Sequence, residues 1–208
     1  MDIKLTAYIE GNVLPRYATF DAAHGVDHVM GVIARSLSLA RLVNVDERLA
    51  YVAAAYHDLG LVGGRENHHL ISGEIVMQDS FLASYFTSEE LLLIKEAVED
   101  HRASSSHPPR SIYGKIVAEA DREIIPRVIV KRTILYGKSH EPALDKEGQY
   151  ERTKSHIVKK YGEHGYLKLW LPLKQNIDGL NAIRAYLKNE DSFRHLFDEL
   201  WDEISERG

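Results

Sequence analysis

The chain contains no cysteine, which removes thiolates from any list of nucleophiles or metal ligands and fits a reducing compartment. It has no apolar run near the length a membrane span requires. Its start, Met1-Asp2-Ile3-Lys4-Leu5, shows neither a signal peptide nor an anchor, so a cytoplasmic protein is expected. An excess of positive charge is also missing: 26 Lys and Arg face 31 Asp and Glu, for a formal net charge of -5. That balance argues against duplex nucleic acid or an anionic membrane as partner and favours a small ligand. What is present is an ordinary folded composition, with 208 residues of which 44% are hydrophobic and 27% charged. A chain of this length folds without a disulfide or a structural metal, so any metal it binds serves chemistry.

Apolar residues recur at helical spacing almost throughout, whereas strand-like alternation is scarce, and the expected fold is all-α. A first helix, interrupted by Gly11 and Pro15, is expected over Leu5 to Tyr17, and a second over about His24 to Val43. Asn44-Val45-Asp46 starts a third through Leu49, Val52 and Tyr56, ended by Gly60 and Gly63-Gly64. A fourth runs from about His69 to Tyr85, and Thr87-Ser88-Glu89-Glu90 opens a fifth that reaches His101. A sixth is expected from Ile112 to about Leu135 with a kink at Pro126. A polar loop over Gly137 to Gly148 precedes helices over Tyr150 to Tyr161, Ile177 to Leu187 and Ser192 to Ile204. No internal repeat and no long linker is visible, which predicts a single-domain helical bundle over 1–208, with a core of about 20–135 and a C-terminal helical extension of about 136–208.

The 11 histidines cluster with carboxylates in the first two thirds of the chain. His24 and His28 share a helix face one turn apart, His57-Asp58 ends the third helix and His68-His69 opens the fourth. Asp100-His101 closes the fifth, and Asp121 sits mid-helix in apolar company. Imidazoles and carboxylates offered by facing helices suit a metal site in a bundle core. A His-Asp doublet alone carries little weight, since chance supplies about one in such a chain. Here the apolar run Ala50 to Tyr56 delivers the doublet to a buried helix end, where a carboxylate needs a compensating cation.

The elements His24-Gly25-Val26-Asp27-His28, His57-Asp58-Leu59-Gly60 and Lys115-Ile116-Val117-Ala118-Glu119-Ala120-Asp121-Arg122 resemble, in order and spacing, the HD-domain superfamily of metal-dependent phosphohydrolases, over roughly residues 20 to 135. The resemblance implies that His28, His57, Asp58 and Asp121 are metal ligands and that His69 and His101 hold a second metal or orient substrate phosphate. Asp58 is also expected to orient the attacking water, with Lys115 and Arg122 stabilising phosphoryl charge. His24 either supports a ligand or faces solvent, and Arg102 is read as a solvated charge. The sequence departs from many relatives at Gly31, where they carry Arg three residues after the early His.

The implied function is hydrolysis of a phosphate ester or anhydride, with a nucleotide as the expected small-molecule substrate. A nitrogen and oxygen donor set accepts Mn, Fe, Co, Ni, Mg or Zn without choosing among them. Two alternatives stand beside it. A six-ligand set of His28, His57, Asp58, His69, His101 and Asp121 could hold two irons for oxidation by O₂, and a silent nucleotide sensor could use the same residues without turnover. A homo-oligomer is left open.

Overall fold

The computed structural model describes residues 2–21, 24–105 and 107–206. Its regular elements are all helical, with no strand among the described residues, as the apolar spacing predicts. No helix is long and apolar enough to cross a membrane among the described residues. The chain packs as two compact units, Met1–Arg122 and Glu123–Gly208.

The first unit opens with α1 (Ile3–Tyr8), a π-helical turn (Ile9–Val13) and a 3-10 turn (Leu14–Thr19). These three segments stand in place of the one imperfect helix that the sequence predicts over Leu5 to Tyr17. Pro15, within the first two residues of the 3-10 turn, lacks the N–H that an α-helix would use there. Then come α2 (Val26–Leu42), α3 (Glu47–Tyr56), a 3-10 turn (Leu59–Gly63) and α4 (His68–Gln78). The unit closes with α5 (Ser80–Tyr85), α6 (Ser88–Glu99) and α7 (Ile112–Asp121). The fourth expected helix is two, because Asp79 turns the chain with extended backbone and accepts from the N–H groups of Phe81 and Leu82 to start α5.

Helix α3 is central to this unit. All eight residues from Leu49 to Tyr56 are buried, as expected of a helix that is apolar on every side. The consecutive alanines Ala53, Ala54 and Ala55 keep it thin, and α2, α6 and α7 pack against it. Its N-terminus is tied down by Asp46, whose carboxylate accepts from the Arg48 N–H at 2.8 Å and pairs with the Arg48 guanidinium at 2.6 Å. Arg48 also reaches Glu90 at 3.2 Å, the residue that completes the capping box of α6 with Thr87.

The expected sixth helix is also two. Helix α7 ends at Asp121, residues 122–125 are extended or irregular, and Pro126 becomes the first residue of α8 (Pro126–His140). Proline favours that position, because the N–H it lacks has no partner in the first turn, and it disfavours helix at the residue before it. The expected core of 20–135 therefore crosses the boundary between the units. The second unit continues with α9 (Lys146–Tyr161), α10 (Lys174–Lys188) and α11 (Glu190–Glu206). Helix α8 runs through Gly137 to His140, so the expected polar loop shrinks to the five residues 141–145.

Candidate metal centre

The centre starts where α3 stops. His57 is the C-cap of α3 and fully buried, and Asp58 follows in a turn with φ -108° and ψ 3°. The buried Tyr17 hydroxyl fastens this turn by donating to the Ala55 carbonyl at 2.8 Å and accepting from the Asp58 N–H at 3.4 Å. On the other side the Gly60 N–H donates to Ser72 Oγ of α4 at 2.7 Å. Gly60 has no room for a side chain: a Cβ there would lie 2.0 Å from the His68 carbonyl oxygen. That close approach brings the head of α4 to the end of α3.

Two groups of ligand atoms meet at Asp58. On one side its Oδ2 lies 3.2 Å from His57 Nε2 and 3.8 Å from His28 Nε2, and the two imidazole nitrogens are 3.3 Å apart. Asp121 Oδ1 adjoins this group, 3.2 Å from His28 Nε2 and 3.6 Å from His57 Nε2. On the other side Asp58 Oδ1 lies 3.4 Å from His68 Nε2 and 3.5 Å from His101 Nε2, which are 3.1 Å from each other. His28, His57 and Asp58 form one set able to hold a metal, and Asp58, His68 and His101 form a second.

Hydrogen bonding to the main chain decides what these nitrogens offer. Nδ1 of His57 faces the Ala54 carbonyl at 2.8 Å, that of His68 the Arg65 carbonyl at 2.8 Å and that of His101 the Val98 carbonyl at 2.6 Å. A carbonyl only accepts, so each Nδ1 carries the proton and each neutral ring presents a bare Nε2 lone pair to the centre. Lone pairs of His68 and His101 that face each other at 3.1 Å beside a carboxylate repel unless a cation or a proton lies between them. The donor set therefore fits a divalent metal, and the second group makes the same fit as the first.

Burial opposes a charge on the His57 ring, but the carboxylates of Asp58 and Asp121 outweigh it and push this imidazole well above its usual range, so the two acids call for positive charge at this point. Burial opposes ionisation of Asp58, but the imidazoles of His57 and His101 outweigh it and hold the carboxyl far below the usual range. Asp121 is likewise held well below, burial being outweighed by His28 and His57. Burial and the neighbouring His101 push His68 down to about 4, which keeps its ring neutral and ready to ligate. Exposure differs among the ligands: the side chains of His57 and Asp58 are 0% and 5% exposed, whereas that of Asp121 is 29% exposed.

Each ligand is placed by a different element. His28 lies in the first turn of α2, Asp121 ends α7, His68 opens α4 and His101 follows α6. Arg35 of α2 ties α7 to it by donating from Nε to the Ala120 carbonyl at 2.6 Å, one residue before Asp121. Its guanidinium lies over Gly31, where a Cβ would come within 3.1 Å of Arg35 Nη1.

The structure thus brings together His28, His57, Asp58 and Asp121, and adds His101 from the second expected set. It does not bring in His69. His68 takes that place, while His69 keeps a buried Nδ1 without a hydrogen-bond partner. The signal was in the helix period: Ser72 and Val76, both buried, lie four and eight residues after His68 and mark its face as the inner one. Lys115 forms no ion pair among the described residues and lies six residues before Asp121, about 9 Å along α7. Arg122 is buried against Glu119 at 3.3 Å, so a carboxylate of the protein already meets the charge expected to face substrate. His24 bonds Asp21 at 2.8 Å and Arg65 at 2.9 Å, at the edge of the centre.

Comparison with known proteins matches residues 25–124 to the family model described as HD domain. No curated protein matches. Among solved structures, a protein from Lactobacillus plantarum is 18% identical, with a TM-score of 0.63 over 94% of this chain and 99% of that one. That is a likeness of fold. A predicted HD superfamily hydrolase from an uncultured Thermotogales bacterium is 20% identical, with a TM-score of 0.49 over 75% of this chain and 86% of that one.

Proposed function

Since residues 25–124 match the family model described as HD domain, we propose that the protein is a metal-dependent phosphohydrolase that cleaves a phosphate ester or anhydride of a small molecule, a nucleotide by preference. The observation that carries this reading is the convergence of imidazole lone pairs and ionised carboxylates on Asp58, from five helices or helix ends. A divalent ion held there supplies Lewis acidity toward a phosphoryl oxygen and lowers the proton affinity of water. Without thiolates the set accepts Mn, Fe, Co, Ni, Mg or Zn.

The chain's own residues do the rest. Asp58, kept ionised, accepts a hydrogen bond from the attacking water and orients it, while the fixed rings of His57, His68 and His101 leave it little freedom to swing. Water oxygen bonds to phosphorus as the phosphorus–oxygen bond to the leaving group breaks; the leaving oxygen departs with that electron pair, and the proton the water gives up goes to it or to solvent. Lys115, on α7 and without an ion pair among the described residues, is assigned to the charge on the departing oxygen. His68 and His101 hold a second ion or the substrate phosphate. Such a reaction belongs to the cytoplasm, where phosphorylated small molecules abound.

The test is metal analysis of the purified protein followed by a screen for phosphate or pyrophosphate release over nucleotides and sugar phosphates. Asp58→Ala should abolish release, and an unchanged rate in that variant removes Asp58 from the mechanism. Two ligand groups sharing one carboxylate also favour a second reading, a di-iron oxygenase. Iron in the preparation and turnover lost under anaerobic conditions would establish that reading in place of hydrolysis.

A further inference from the structure

The arginines of this protein are mostly neutralised at home. Arg48, Arg110, Arg122, Arg127 and Arg194 each pair with at least one carboxylate within 3.3 Å. Arg65 and Arg102 differ: among the described residues neither has a carboxylate partner, yet both are held in place beside the centre. Arg102 directly follows His101 and donates from Nη1 to the Glu66 carbonyl at 2.6 Å. Arg65, on the same short loop as Glu66, donates from Nη2 to His24 Nε2 at 2.9 Å. His24 in turn has its ring centroid 6.0 Å from that of His28.

The loop between the 3-10 turn and α4 is thus pinned at both ends. The Arg65 carbonyl orients His68, and the Arg65 guanidinium rests on an imidazole nitrogen that a stronger acceptor can displace. Two guanidinium groups, oriented by carbonyl and imidazole acceptors and left with their charge, are poor for stability and suited to an anion arriving from outside. Arg65 holds His24, the ring neighbour of His28 in the first ligand group, and Arg102 follows His101 of the second, so one extended anion could meet both while presenting an end phosphorus to the centre.

We infer that Arg65 and Arg102 form a subsite for the non-reacting phosphates of a polyphosphate chain, which assigns the substrate to the class of nucleoside di- or triphosphates rather than monophosphate esters. This rests on the phosphohydrolase reading above. It also moves the phosphate-binding role from Arg122, which Glu119 neutralises, to residues outside the expected set.

The experiment is calorimetric titration of the full chain, as purified, with inorganic tripolyphosphate and with orthophosphate. Tripolyphosphate should bind more tightly, and Arg65→Ala, which keeps the main-chain carbonyl that orients His68, should weaken it at least about tenfold. Arg102→Gln keeps a donor for the Glu66 carbonyl while removing the charge, and should weaken it comparably. Arg127→Ala, whose partners Glu199 and Glu203 lie in the second unit, should leave it unchanged, and thermal melts of all variants report folding. Wild-type affinity in both arginine variants, or no tripolyphosphate binding by the wild type, overturns the subsite. Arginine-dependent binding with no hydrolysis under any metal overturns the phosphohydrolase reading alone; hydrolysis with binding indifferent to both arginines overturns the subsite alone.

Discussion

Gly60→Ala tests the joint on which the second ligand group depends. The added Cβ would lie 2.0 Å from the His68 carbonyl oxygen, 2.7 Å from the Ser72 nitrogen and 2.9 Å from the His68 carbonyl carbon. All three are main-chain atoms, so no rotamer change relieves the overlap. A carbon approaches a carbonyl oxygen to about 3.3 Å, and the head of α4 must therefore retreat by about 1 Å or more. Retreat stretches the buried bond from the Gly60 N–H to Ser72 Oγ, worth about 1 to 3 kcal/mol when its groups are left unsatisfied, and overpacking adds about 1 to 3 kcal/mol. The sum is about 4 kcal/mol, which for a chain of this size lowers Tm by about 10 °C. Far-UV circular dichroism melts in chelator check it, with Ser72→Ala, which removes only the hydrogen bond, falling by a smaller amount. A Tm for Gly60→Ala within about 2 °C of wild type would refute the claim that the missing side chain sets the approach of α4.

Further predictions follow the same geometry. Arg35→Ala should weaken binding of added Mn²⁺ about tenfold by freeing the end of α7 beside Asp121, read by titration, whereas wild-type affinity would show that Ala120 needs no tether. Tyr17→Phe should cost about 1 to 3 kcal/mol in urea unfolding, because it leaves the Ala55 carbonyl and the Asp58 N–H without their partner. Chelation should lower Tm and Mn²⁺ should restore it, since an ion that binds only the folded chain stabilises it in proportion to the logarithm of its concentration. Asp46 has its carboxyl pulled below the ordinary range, chiefly by its hydrogen bonds with the Arg48 side chain. A depressed folded pKa contributes stability above the unfolded value of about 3.9 that is lost as pH falls through the folded one. The stability gap between wild type and Asp46→Asn should therefore be full at neutral pH and close as the solution is acidified below about pH 4, as followed by urea unfolding.

Much of this was legible because the relevant signals are local. The caps of α3 and α6 lie in Asp46 and in Thr87 with Glu90, and the buried run before His57 announces a helix apolar on all sides. His28, His57, Asp58 and Asp121 could be picked out because each belongs to a short pattern of its own. What could not be read depended on neighbours far along the chain. His68 and His69 are adjacent and chemically identical, and only the packing of Ser72 and Val76 decides which ring turns inward. Arg122 carried the expected motif, yet its partner Glu119 lies one turn back on α7 and claims its charge. From the sequence Pro126 suggests a kink rather than a start, because the break at residues 122–125 has no Gly or other strong turn residue to mark it.

The bonds from Nδ1 of His57, His68 and His101 all run to a carbonyl three residues earlier in the chain. The tautomer of each ring is therefore written into backbone geometry, and no second-sphere carboxylate has to be retained to specify it. Ala54, Arg65 and Val98 can be exchanged for other residues without altering which nitrogen faces inward, so long as the local fold persists. Evolution is free to vary the surroundings, and with them the preferred ligand, while the coordinating apparatus stays put.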